Sequence, residues 1–98
     1  MLIYVAHAYQ GVPFNKKRAR KIVHDLQVAD LDNCYICPLL SLSFLEYGEI
    51  GWEQEMALCL DILSVCDELL VASEVSPGIQ EEIDFAKLVG MEVRFLEC

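Results

Sequence analysis

Four short apolar runs along the chain are separated by longer stretches in which apolar residues recur every three or four positions. Leu2-Ile3-Tyr4-Val5-Ala6 is apolar without alternation, as a strand covered on both faces requires. After a loop over His7 to Pro13, Asn15 is a capping residue for a helix with Ala19, Ile22, Val23 and Leu26 inward, ending near Ala29. Asp30 to Asn33 is turn chemistry, and Cys34-Tyr35-Ile36-Cys37 is a second strand stopped by Pro38. Leu39 to Glu49 reads as a long loop, a candidate lid or ligand wall. A second helix spans about Ile50 to Val65, with Trp52, Met56, Cys59, Leu60 and Leu63 inward and Leu58 and Ile62 spreading the apolar surface to another side. That wide face predicts a subunit interface and hence a homo-oligomer.

The third strand is Leu69-Leu70-Val71-Ala72. Ser76 then caps a helix, Pro77 occupies its first position, and Gly78 leaves room for something to approach the backbone. Ile79, Ile83, Ala86 and Gly90 mark the inward face of that helix, and Glu82 shares it. A carboxylate is thereby aimed at the core side one turn from a helix N-terminus, where negative charge is best tolerated. Glu81 and Asp84 point elsewhere. Glu92 to Leu96 makes the fourth strand.

Strands alternating with helices give a single α/β domain over residues 1–98, a small flavodoxin- or Rossmann-like three-layer fold. Right-handed crossovers put helices on both faces of a four-stranded parallel sheet, with strand order 2-1-3-4 expected. Ligands in such sheets bind beyond the strands' carboxyl ends where the order reverses. Here that point lies between strands one and three, so the loop after Ala6 faces the loop after Ala72.

Both loops carry a resemblance. Ser76-x-Gly78-x-x-x-Glu82, then Ile83-x-Phe85-Ala86 and Gly90-Met91-Glu92-Val93, is similar to the signature of the nucleoside 2-deoxyribosyltransferase-like superfamily, which includes 2'-deoxynucleoside 5'-phosphate N-hydrolases. Ile3-Tyr4-Val5-Ala6, Tyr9, Gly11, Asn15 and Ala19 resemble the superfamily's opening, with His7-Ala8 in place of its Gly-Pro. The resemblance implies that Glu82 is the nucleophile, that Tyr4 orients it, and that Ser76 with the amides of Gly78 and Ile79 holds a 5'-phosphate. It also implies an aspartate in the helix before the third strand, for which Asp61 is the nearest candidate. The loss of the Gly-Pro pair removes a bare stretch of backbone against which a sugar would lie.

That chemistry suits a carboxylate. Cleaving an N-glycosidic bond builds positive charge on the sugar carbon, which a carboxylate beneath it stabilises or bonds covalently. His7, Tyr9 and Gly11 fall in the loop at the mouth, His7 as a candidate general acid where a lone loop histidine is otherwise simply exposed. Tyr47 and Trp52 are candidates to stack on a base, with core packing the alternative for Trp52. The reading is an N-glycoside hydrolase or deoxyribosyltransferase. The alternative is a nucleotide-binding module that keeps the pocket without turnover. No acidic pair follows the first strand, which argues against a receiver-like signalling domain.

Composition narrows the partners. A net charge of −9 repels a phosphate backbone and argues against nucleic acid, although Lys16, Lys17, Arg18, Arg20 and Lys21 crowd one short stretch at the start of a helix, which as a solvated helix face needs no ligand. Apolar residues make up 55% of the chain, yet no run is long enough to span a bilayer and no leader precedes an apolar block, so a cytoplasmic protein without membrane partners is expected. The cysteines at 34, 37, 59, 66 and 98 read as free thiols of the core. Cys34 and Cys37 have a CxxC spacing, but on one strand they face opposite ways, and no metal or cofactor is expected. The ligand expected is a small nucleoside or nucleotide.

Overall fold

A computed structural model describes residues 1–96, so Cys98 lies outside the described residues. The elements in order are β1 (Leu2–Ala6), α1 (Pro13–Ala29), β2 (Cys34–Ile36), α2 (Pro38–Ser41), α3 (Trp52–Ser64), β3 (Glu68–Val71), α4 (Pro77–Leu88) and β4 (Glu92–Phe95). All pairings in the sheet are parallel, in the order β2-β1-β3-β4. Ile3 to Ala6 stand opposite Glu68 to Val71. The sheet is therefore the α/β arrangement expected from the alternating pattern.

Period-two geometry divides the core into two layers. Tyr4, Ala6, Leu69 and Val71 pack with Leu63 of α3 and Ile79, Ile83 and Ala86 of α4. Ile3, Val5, Leu70 and Ala72 pack on the other face with Ala19, Ile22, Val23 and Leu26 of α1. Because both faces are covered, the central strands carry no polar alternation. Each wholly buried aliphatic side chain contributes roughly 1.5–3 kcal/mol, so β1 and β3 anchor the fold.

Several local expectations are corrected. The cap of α1 is Val12, with Pro13 at the first helical position, so Asn15 lies inside the helix. Its side-chain amide instead donates to the Tyr9 carbonyl at 3.1 Å, tying the helix to the loop after β1. The second strand ends at Ile36, because Cys37 already caps the single turn of α2 on Pro38. Cys37 is buried while Cys34 is exposed, so Cys34 is not a core thiol. On α3, Ile62 packs against the core, which absorbs part of the wide apolar face, while Leu58 and, at the C-cap, Val65 stay exposed. Trp52 is not core: it is 53% exposed at the helix start. Among the described residues, no helix is long and apolar enough to cross a membrane.

Candidate active site

The carboxyl end of β1 opens beneath a cavity of about 260 Å³, walled by the loop after β1, by α2, by the start of α3 and by the start of α4. Its two flanking loops are stitched together. The Ala8 amide donates to Ser73 Oγ at 2.9 Å, joining the segment after β1 to the segment after β3 across the switch point.

Glu82 reaches this cavity from the second turn of α4 and is 6% exposed. Tyr4, buried in the middle of β1, donates its hydroxyl to Glu82 Oε2. The register explains the meeting: Tyr4 faces the α3–α4 layer, and Glu82 lies on the α4 stripe that packs there. Burial pushes the Glu82 carboxyl up to about 7, opposed by the Tyr4 hydrogen bond, which favours the anion. Tyr4 itself is driven upward by burial and then by the Glu82 charge, so it stays a neutral donor. Among the described residues no cation pairs with Glu82.

Cys59 lines the same cavity, one of four α3 residues that do so with Trp52, Glu55 and Met56. Burial, then the Glu82 charge, pushes its thiol up to about 11. It therefore remains protonated at neutral pH and is no nucleophile there.

Asp61 is corrected by this geometry. It is exposed on α3 and does not line the cavity. Trp52, Glu55, Met56 and Cys59 fall at i, i+3, i+4 and i+7, whereas Asp61 comes two residues after Cys59 and so faces away. The carboxylate that α3 does bring to the cavity is Glu55, which the sequence reading missed. Its three-residue spacing from Trp52 and four from Cys59 was the signal that could have found it.

At the α4 start, Ser76 is the cap and accepts the Ile79 amide at 3.3 Å. The Ile79 amide is thus engaged, a correction to its expected freedom to hold a phosphate. Pro77 offers no N–H, which leaves the Gly78 amide and the Ser76 hydroxyl hydrogen. Ser76, Gly78 and Ile79 all line the cavity. A Cβ on Gly78 would lie 3.3 Å from Met56 Sδ, so the bare backbone permits α3 and α4 to close together here.

The mouth is aromatic. Tyr9 and Tyr47 meet edge to face with centroids 5.5 Å apart, both lining the cavity beside Trp52. Gly11 does not line it; it shapes the wall. Gln10 and Gly11 both take positive φ, 53° and 73°, turning the chain so that Val12 N–H reaches the Tyr9 carbonyl at 3.0 Å. A Cβ on Gly11 would sit 2.8 Å from Tyr47 Cε1, so glycine serves both the turn and the seat of that ring.

His7 is buried, not an exposed loop histidine, and lies in the cavity wall. Its Nδ1 is 2.8 Å from the Ala8 carbonyl oxygen. A carbonyl only accepts, so Nδ1 carries the hydrogen. Nε2 has no hydrogen-bond partner among the described residues.

No curated protein and no solved structure matches the chain. A family model, described as a domain of unknown function (DUF7768), matches residues 1–96. The fold, the cavity at the switch point and its buried glutamate are therefore those of a DUF7768 member, the family to which this chain belongs.

Proposed function

We propose that this domain cleaves the N-glycosidic bond of a nucleoside or nucleotide, with Glu82 as the nucleophile on the sugar. The observation that carries the reading is the buried Glu82 carboxyl in the cavity wall, hydrogen-bonded by the neutral Tyr4 hydroxyl. In its ionised form, a carboxylate without a competing cation has its charge free for the sugar carbon. In the first step a Glu82 oxygen bonds to that carbon as the carbon–nitrogen bond breaks. The bonding pair leaves on the base nitrogen, which takes a proton from water. In the second step water, or another base in a transferase, displaces Glu82 from the sugar and restores the carboxylate. Tyr4 positions the carboxyl through both steps, and the aromatic mouth suits a planar base. Four free cysteines among the described residues support a cytoplasmic setting.

One observation favours a second reading, a nucleotide-binding module without turnover. Asp61 stands outside the cavity, so the assistance that the resemblance implies is missing at that position. Chromatography of mixed 2'-deoxynucleosides and their 5'-monophosphates, incubated with the protein, separates the two. Under the catalytic reading the wild type releases free base, and Glu82→Gln lowers the rate by roughly a thousandfold or more while still binding ligand. Glu81→Gln, on the exposed side of α4, leaves the rate unchanged. Equal release by Glu82→Gln would place the nucleophile elsewhere; binding without any release would establish the module.

A further inference from the structure

The cavity mouth has one fixed side and one loosely held side. The segment after β1 is fixed: the Ala8 amide is bound to Ser73 Oγ, the Val12 amide to the Tyr9 carbonyl, and the Asn15 side chain of α1 donates to that same carbonyl. Lys16 Nζ, 5.6 Å from the centroid of the Tyr9 ring, braces the ring from α1. The opposite side is residues 43–50, between α2 and α3. Their hydrogen bonds reach no further than three residues along the chain: the Ser43 amide to the Leu40 carbonyl, the Leu45 amide to Leu42, the Glu49 amide to Glu46, and the Glu46 amide to Glu49 Oε1 at 2.9 Å. Among the described residues, no hydrogen bond joins this segment to β1, α1 or α4.

The packing beneath the segment is incomplete as well. Leu45 and Ile50 are only half-buried and border a second cavity of about 30 Å³, shared with Tyr9 and Lys16. Side chains on a void forfeit their dispersion contacts on that side. Phe44 is 76% exposed, and Gly48, at φ 80°, has nothing within 4 Å of where a Cβ would stand. What holds the segment is Tyr47. Its ring meets Tyr9 edge to face and lies so close over Gly11 that a Cβ there would be 2.8 Å from Cε1. Few buried contacts and no hydrogen bonds to the body of the fold mark a segment that opens at low cost in free energy.

From these features we infer that residues 43–50 form a lid on the cavity, latched by the Tyr47 ring on Gly11 and Tyr9, and that release of this latch controls access to Glu82. Tyr47 is the lid residue that lines the main cavity, so its departure widens the mouth directly. The moving side works against the fixed loop after β1, as a leaf against its frame. The inference concerns entry to the cavity and does not depend on the reaction assigned to Glu82; a pocket that only binds is gated in the same way.

Cys59 reports on access because it lines the cavity, while Cys66, buried and outside the cavity, reports on the fold. The whole chain is alkylated with N-ethylmaleimide at pH 8 and read peptide by peptide by mass spectrometry. Backbone nitrogen-15 relaxation dispersion, which detects opening on the microsecond-to-millisecond scale of lids, is measured alongside. In the wild type, exchange is expected at the amides of residues 43–50 and not at those of Ala8 and Val12. Tyr47→Ala removes the latch, and Gly11→Ala keeps the ring at full size but denies its seat. Both should speed alkylation of Cys59 by about tenfold, the scale of one aromatic contact, and leave Cys66 unchanged. Tyr47→Phe keeps the ring and should match the wild type. An unchanged Cys59 rate in Tyr47→Ala overturns the inference, and so does acceleration in Tyr47→Ala without any in Gly11→Ala, which would make the ring a fixed wall. Absence of exchange over residues 43–50 in the wild type overturns it too, as does equal acceleration of Cys66, because the whole domain would then be loosening.

Discussion

Among the described residues two carboxylates are buried, and they are treated in opposite ways. Glu68 opens β3 at the end of the sheet away from the cavity, and Arg94 of β4 grips it with two nitrogens, Nη2 lying 3.1 Å from Oε2. The side chain of Glu68 is 5% exposed and that of Arg94 50%, so the pair closes the sheet with one charge inside and its partner at the surface. The Arg94 guanidinium is held further toward the cation chiefly by its hydrogen bond to Glu68. Glu82 is equally deep at the other end, yet its partner is a neutral hydroxyl. Glu68 is neutralised by a guanidinium, whereas Glu82 faces only a hydroxyl. Desolvation that would be a liability elsewhere here raises its proton affinity to the working range of an acid–base group.

The larger effect expected from this contrast concerns stability against pH. Because the folded-state value of Glu82 is raised from 4.5 to about 7, the native state binds more protons than the unfolded chain between those values. Its contribution is fully present below pH 4.5, is lost as pH rises toward 7, and stays lost above. The accumulated penalty is about 3 kcal/mol. Glu82→Gln removes it, so denaturant titrations should find the variant more stable than wild type by up to about 3 kcal/mol at pH 8 and equal to it at pH 4. A constant difference across that range would mean that the two carboxylates are not treated differently.

Arg94→Met sharpens the other side of the comparison. It strands Glu68 in the sheet, and a loss of about 2 kcal/mol is expected, less than for a wholly interior pair because Arg94 is half exposed. Adding Glu68→Leu should recover most of that loss, since two apolar side chains replace a buried pair at little net cost. If the single variant is as stable as wild type, Glu68 does not depend on its counter-charge.

The sheet order was legible because unbroken apolar runs at Leu2–Ala6 and Leu69–Ala72 can only be central parallel strands, and right-handed crossovers then leave few arrangements. Glu82 was legible for a related reason, since a carboxylate on an inward helical stripe beside a switch point has a destination. Tyr4 was not separable from core by pattern: it is core, and only its hydroxyl marks the site. Trp52, Glu55 and Asp61 show the limit. Periodicity identifies the inward stripe of α3, but a stripe that begins over a cavity and ends in the core looks continuous in sequence. Trp52 therefore read as core, Glu55 went unnoticed among the acidic residues of a first turn, and Asp61 was preferred. The turn of α2 was missed because four residues are too few for a periodic signal, and Pro38 reads equally as a strand stop or a helix start.

Glu82 is, on this account, a buried carboxyl poised near neutrality by desolvation, with Tyr4 holding it below the value that burial alone would give. The most direct measurement is a titration of its side-chain carboxyl by carbon-13 nuclear magnetic resonance, comparing wild type with Tyr4→Phe. The account predicts a wild-type midpoint of about 7 and a higher one in Tyr4→Phe, where the hydrogen bond that favours the anion is gone. A wild-type midpoint at the ordinary 4.5, unchanged by Tyr4→Phe, would contradict it.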